Sequence, residues 1–130
     1  MIVLENVCKE FDTGFSLQNI TLNVSCGEKV LIFGPNGAGK TTFLKILSCL
    51  IAPSSGTMKI MGYPPAMRTK LLGNIGFAPQ SGHLYESLTI KQNLDFYGKM
   101  YSIDQPELAE RIHELLVQFN LSMKLDSKVS

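Results

Sequence analysis

The chain has 130 residues, 45% of them apolar and 18% charged, and a formal net charge of +1. That length gives one domain or part of one, with enough apolar residues for a packed core. The charge balance excludes a field that recruits nucleic acid or an anionic membrane, and no apolar run reaches the roughly 18–20 residues that span a bilayer.

The N-terminus, Met1-Ile2-Val3-Leu4-Glu5, lacks the basic start and long apolar stretch of a secretion signal. Ile2–Cys8 reads as a strand, with Ile2, Leu4 and Val7 apolar and Glu5-Asn6 polar. Phe11-Asp12-Thr13-Gly14 is a turn. Leu17, Ile20, Leu22 and Val24 then alternate with Gln18, Thr21 and Asn23, which predicts a half-buried strand over 17–24. Ser25-Cys26-Gly27-Glu28 is the next turn. Lys29–Phe33 runs apolar without alternation and predicts a strand buried on both faces. The cysteines, Cys8, Cys26 and Cys49, are odd in number and widely spaced. That argues against a disulfide framework or a zinc site and predicts buried thiols in a reducing compartment.

Residues 34–42 read Gly-Pro-Asn-Gly-Ala-Gly-Lys-Thr-Thr and fit G-x-x-x-x-G-K-[ST]. A nucleoside triphosphate is a chain of negative oxygens, and inward-turned backbone N–H groups form a nest for it. Gly34, Gly37 and Gly39 stand where a Cβ would obstruct such a turn. The following helix adds its free N–H groups and dipole. Lys40 brings a mobile positive charge, and the Thr41 hydroxyl suits Mg²⁺, a hard cation that keeps several waters. Pro35 donates nothing and stiffens the loop entrance.

A helix is predicted over 41–51, with Phe43, Ile46, Leu47, Leu50 and Ile51 on one stripe, ended by Pro53-Ser54-Ser55-Gly56. Thr57–Met61 is a short strand, Pro64–Leu72 a short helix, and Ile75–Ala78 a strand running into Pro79-Gln80-Ser81-Gly82. Thr89-Ile90-Lys91-Gln92 has the form of a capping box, followed by Ile90, Leu94, Tyr97 and Tyr101 at helical spacing. Pro106 sits where a first turn accepts it. Leu108, Ile112, Leu115, Leu116 and Phe119 form the stripe of a last helix, with His113 on its polar side.

These residues together resemble the ATP-binding cassette (ABC) ATPases. Gly34–Thr42 is similar to that family's Walker A loop, Pro53-Ser54-Ser55-Gly56-Thr57 with Gly62 to the turn and strand after its first helix, and Phe77-Ala78-Pro79-Gln80 to its Q-loop. The resemblance covers essentially the whole chain. It implies an α/β P-loop NTPase fold of the ABC type, here partial. Residues 1–80 would carry an antiparallel β subdomain with the loop's strand and helix; residues 81–130 would carry an incomplete helical subdomain.

The resemblance implies ATP and Mg²⁺ as cofactors and makes Gly34, Asn36, Gly37, Ala38, Gly39, Lys40, Thr41 and Thr42 nucleotide contacts. Lys40 would hold the β- and γ-phosphates, Thr41 the metal and Thr42 the α-phosphate. Gln80 would reach Mg²⁺ or the attacking water and report to a transport partner. Phe11 is similar to the family's adenine-stacking aromatic; a core phenylalanine is the plainer reading, and Phe15 is a substitute. His83 follows the Q-loop too early to be the family's switch histidine and reads as structural or partner-facing. The implied partners are a transmembrane permease subunit and a second ATP-binding subunit, with no nucleic acid and membrane contact only through the permease. The implied place is the cytoplasmic face of the membrane.

The sequence departs from the family in three absences. It has no Leu-Ser-Gly-Gly-Gln signature, no apolar strand ending in Asp-Glu, and no later switch histidine. The expectation is an N-terminal portion of an ABC domain that binds Mg-ATP weakly without hydrolysing it. Its Lys29–Phe33 strand would be left with an unpaired neighbour and an exposed apolar face. Phrases such as Leu84-Tyr85-Glu86-Ser87-Leu88-Thr89 look most like multidrug, polysaccharide or haem exporters. Two other readings stay open: a soluble ABC-type ATPase in DNA repair or translation, and a non-catalytic P-loop module.

Overall fold

The computed structural model describes residues 1–14, 16–80, 82 and 84–129, with the side chain of residue 16 excepted. The chain divides into two compact units, Met1–Ala78 and Pro79–Ser130.

The first unit is built on a three-stranded antiparallel sheet in the order β2-β1-β3, from β1 (Ile2–Glu10), β2 (Ser16–Val24) and β3 (Ser55–Ile60). Each strand is one or two residues longer or offset from its predicted span. β1 pairs Leu4 with Leu22 on one side and with Met58 on the other. Strict alternation would send Leu4 and Val7 to opposite faces, yet both are fully buried. The register shift between them supplies the missing residue, with Asn6 in left-handed backbone (φ 50°) and its N–H donated to Thr21 Oγ1 at 3.1 Å. Gly56 faces this bulge; a Cβ there would run into the Asn6 carbonyl.

Helix α1 (Lys40–Leu47) lays Phe43 and Ile46 on the sheet, where they meet Leu4, Val7, Leu17, Met58, Ile60 and Leu71. It stops four residues before its predicted end. Ser48 Oγ donates to the Leu44 carbonyl at 2.8 Å, and Cys49 turns left-handed at φ 57°. Back-bonding and a reversed φ end a helix whatever the apolar stripe beyond them. Cys49 is buried, and burial pushes its thiol up, with Arg68 pulling weakly the other way. Cys8 is half-buried and Cys26 exposed, which corrects the expectation of three buried thiols. A short helix α2 (Arg68–Leu72), entered through the 3₁₀ turn Pro65–Met67, adds the fully buried Leu71.

Two predicted strands are absent. Lys29–Phe33 joins no ladder, and Leu31 and Phe33 are 82% and 86% exposed. Ile32 alone of the run packs against the core. Ile75–Ala78 is likewise unpaired, with Ile75 leaning on the same core. A strand exists through its neighbours' hydrogen bonds, and none of the described residues supplies them here. The exposed apolar face expected of the first segment is present.

The second unit pairs α3 (Ile90–Met100) with α4 (Gln105–Gln118). Leu108, Ile112 and Leu116 are buried against Ile90, Leu94, Ile103, Leu121 and Leu125. Leu115, Phe119 and Tyr101 were expected on the apolar stripes, but they are 40%, 62% and 70% exposed. α4 carries Pro106 in its first turn, as predicted. Gly98 lets the helices touch: a Cβ there would collide with the Leu108 side chain.

The capping box is present. Thr89 Oγ1 accepts from Gln92 N at 3.1 Å, and Thr89 N donates to Gln92 Oε1 at 2.9 Å. The chain beyond α4, through the 3₁₀ turn Ser122–Lys124, returns so that Ile90 N donates to Ser127 O and Lys91 N to Leu125 O, both at 3.0 Å. Among the described residues, no helix is long and apolar enough to cross a membrane.

Candidate functional site

The glycine loop lies between the unpaired segment 29–33 and α1. The Ala38 N–H donates to Pro35 O at 3.3 Å, closing a turn with Asn36 and Gly37 at its corners. Gly37 has φ 83°, the left-handed value that the third residue of a type II turn takes. Gly39 is also left-handed, at φ 87°, and is the N-cap of α1.

A glycine cap has a consequence. Helix N-termini carry N–H groups with no intrahelical partner, and Ser, Thr, Asp or Asn at the cap satisfies one of them. Here no side chain caps the helix, and the first helical bond runs from Phe43 N to Gly39 O at 2.8 Å. The N–H groups of Lys40, Thr41 and Thr42 precede that bond. They are donors for something outside the helix, at its positive end.

Lys40 strengthens the same field. Its Nζ donates to the carbonyls of Gly34 and Pro35, each at 2.8 Å. The ammonium is thus folded over the loop entrance, with one of its three hydrogens uncommitted by these bonds. Lys40 and Thr42 are half-buried, Gly39 is buried, and Gly34, Asn36, Gly37, Ala38 and Thr41 are exposed. An apolar hollow of about 220 Å³, lined by Leu17, Ile20, Ile32 and Phe43, backs the loop at Gly39 and Lys40. The arrangement can bind a polyanion through backbone N–H groups and one cation. The exposed Thr41 hydroxyl is a hard oxygen donor. No group of three or more His, Cys, Asp or Glu residues is placed to hold a metal among the described residues. The donor set therefore fits Mg²⁺ only as an ion shared with phosphate oxygens and water.

Phe11 follows the last residue of β1 and is 37% exposed, outside the core cluster, so the core reading does not hold. Lys9 Nζ lies 5.2 Å from its ring centroid, in cation–π range. Gln80 is exposed and belongs to the second unit. Phe15 and His83 lie outside the described residues. His113 is exposed on α4, as expected.

One polar residue was not singled out from sequence. Asn93 is 2% exposed, and its Oδ1 accepts from Tyr85 N at 2.8 Å. Its Nδ2 donates to Tyr85 O and Thr89 O, both at 3.0 Å, and to Leu88 O at 3.4 Å. Thus one side chain ties the loop after the Pro79-Gln80 segment onto α3. An uncharged amide on the α3 face that bears Ile90, Leu94 and Tyr97 was the available signal. A hollow of about 600 Å³ in the same unit, lined by Leu84, Leu94, Leu115 and Phe119, is apolar and carries none of the candidate groups.

Comparison with known proteins gives the setting. A protein-family model described as ABC transporter matches residues 17–130. The chain is 34% identical over 99% of its length to the linearmycin resistance ATP-binding protein LnrL of Bacillus subtilis (strain 168), covering 42% of that protein. It is 32% identical over 99% of its length to the Nod factor export ATP-binding protein I of Cupriavidus metallidurans, covering 43%. The chain thus spans about two-fifths of the length of these relatives. Among solved structures it superposes on a dimeric ATP-binding cassette in a post-hydrolysis state, bound to ADP and Pi. The TM-score is 0.85 and the identity 30%, over 98% of this chain and 61% of that one.

Proposed function

The chain belongs to the ABC transporter family of ATP-binding proteins and has the P-loop NTPase cassette fold in part; from this premise we propose that it binds Mg-ATP at residues 34–42 as part of a transporter's nucleotide-binding subunit. The observation that carries the proposal is the glycine-capped start of α1, open at Lys40, Thr41 and Thr42, beneath the Lys40 ammonium.

In this reading the loop N–H groups and those of the first helical turn receive phosphate oxygens. Lys40 exchanges the Gly34 and Pro35 carbonyls for the β- and γ-phosphates, trading two neutral acceptors for charged ones, which make stronger hydrogen bonds. Thr42 contacts the α-phosphate. Thr41 would supply one oxygen to Mg²⁺, an ion whose charge would offset that of the phosphates. Phe11 offers its ring to the adenine, where stacking contributes about 1–3 kcal/mol. The family's role toward the metal or the attacking water would fall to Gln80, an exposed amide.

Residues 1–80 would then be part of the nucleotide core and residues 81–130 part of the helical subdomain. A membrane permease and a second ATP-binding subunit are the partners this reading requires, at the cytoplasmic face. Phosphoryl transfer needs a positioned water and a group to orient it as well as a phosphate cradle. The residues present include no Asp-Glu pair after an apolar strand, so the chain by itself binds without turnover.

Titration calorimetry with ATP, with and without Mg²⁺, tests the reading beside Lys40→Ala. Expected are saturable binding that Mg²⁺ improves and the substitution weakens, and no phosphate release above the Lys40→Ala background. Equal binding by both proteins overturns the site, and steady release above background overturns the claim of no turnover.

A further inference from the structure

Asn36 precedes Gly37, whereas the chain's other asparagines precede Val7, Ile20, Val24, Ile75, Leu94 and Leu121. An asparagine side chain is open to attack by the next residue's backbone nitrogen when that residue has no Cβ to block the approach. Both residues are exposed. They form the corners of the Pro35–Ala38 turn, and a Cβ built on Gly37 would meet nothing within 4 Å, so the approach is clear. Among the described residues, neither the Asn36 amide nor the Gly37 N–H has a hydrogen-bond partner to hold it in place. Asn93 is the contrast: buried, held by four hydrogen bonds and followed by a branched residue.

We propose that Asn36–Gly37 is a spontaneous deamidation site, and that the phosphate loop thereby carries its own chemical ageing reaction. The Gly37 nitrogen attacks Asn36 Cγ. A new N–C bond forms, the Cγ–Nδ2 bond breaks, and ammonia leaves with the proton from the Gly37 N–H. Water then opens the succinimide ring. Addition at Cγ gives aspartate; addition at the backbone carbonyl gives isoaspartate, with the main chain lengthened by a methylene. No oxidant or other reactant is needed.

Either product places a carboxylate within the turn that faces the phosphates, where a neutral amide stood. This second part rests on the nucleotide reading above. On a loop open to bulk water, a like charge a few ångströms from a polyanion weakens its binding roughly tenfold. Bound nucleotide also holds the turn and slows the attack.

The experiment incubates the purified chain at mildly alkaline pH, with and without Mg-ATP, and follows each asparagine peptide by mass spectrometry and isoaspartyl methyltransferase labelling. Fresh, aged and Asn36→Asp proteins are then titrated with Mg-ATP by calorimetry. The expected result is conversion at Asn36 ahead of the other asparagines, slowed by Mg-ATP, with the aged and Asn36→Asp proteins binding roughly tenfold more weakly than fresh protein. An intact Asn36, or conversion first at another asparagine, overturns the site. Conversion with unchanged affinity overturns the weakening. If fresh protein takes up no Mg-ATP, the nucleotide reading fails and the weakening falls with it, while the conversion is still decided by mass alone.

Discussion

The molecule starts two of its helices in opposite ways. At α3 the N–H groups of Ile90 and Lys91 go to the carbonyls of Ser127 and Leu125, that of Gln92 to the Thr89 side chain, and that of Asn93 to Thr89 O. Thr89 in return donates its own N–H to the Gln92 side chain. At α1 the cap is a left-handed glycine, and Lys40, Thr41 and Thr42 keep their N–H groups for use outside the helix. Both termini have the same dipole and the same unpaired donors. What separates a helix end that stabilises the fold from one that can hold an anion is which donors the chain leaves unspent.

The largest test of that contrast is on ligand affinity. Lys40 gives two hydrogen bonds at the open terminus, and bonds to charged groups contribute about 1.5–3 kcal/mol. Lys40→Ala is expected to weaken Mg-ATP binding by roughly tenfold to a hundredfold, read by calorimetry, with amide exchange in α3 unchanged. Equal losses at both places would erase the distinction between the two termini.

Next comes the closed terminus. Asn93→Ala removes one acceptor and several donations; the carbonyls of Tyr85, Leu88 and Thr89 keep backbone donors in Leu88, Val129 and Asn93, while the Tyr85 N–H loses its acceptor in partly buried surroundings. An unsatisfied buried group costs about 1–3 kcal/mol. Hydrogen exchange should therefore speed up through 85–100, by roughly tenfold or more, and leave α1 unaffected. Thr89→Ala removes only the cap and should cost about 1 kcal/mol in the same region. If Thr89→Ala proves the more damaging, the α3 terminus is held by its capping box rather than by Asn93 as argued.

The two ends were also unequally legible. Thr89 and Gln92 announce a capping box at fixed spacing, and Pro106 announces a first turn, because such signals are local. The glycine loop was legible for the same reason, since its backbone angles require glycine at Gly37 and Gly39. The β1 bulge at Asn6 was not, because skipping a residue leaves the same apolar letters in place. Lys29–Phe33 and Ile75–Ala78 read as strands because apolar runs report the surroundings a segment prefers, whereas a strand also needs a partner's hydrogen bonds. The contacts of Lys40 with Gly34 and Pro35 depend on how a long side chain folds back, which spacing does not encode. The core was legible as a stripe but not in its limits. Leu115 and Phe119 continue the helical pattern of α4, and both are substantially exposed.

The smallest expected effect concerns the far end of α1. Cys49 ends that helix in left-handed backbone, buried, with its thiol pushed up by burial. An unfolded thiol ionises near its ordinary value of about 8.5, whereas the folded one resists. The stability this contributes is fully present below the unfolded value and is lost as pH rises through the folded one. Exchange at α1 and its sheet should therefore accelerate on going from neutral to alkaline pH by more than the intrinsic rate does, and Cys49→Ala should remove the excess. The second unit offers the control, because its buried polar residue among those described is the uncharged Asn93. α1 would then be a helix fastened by its core end and left free at its loop end. An alkaline loss that survives Cys49→Ala would mean that its anchorage lies elsewhere.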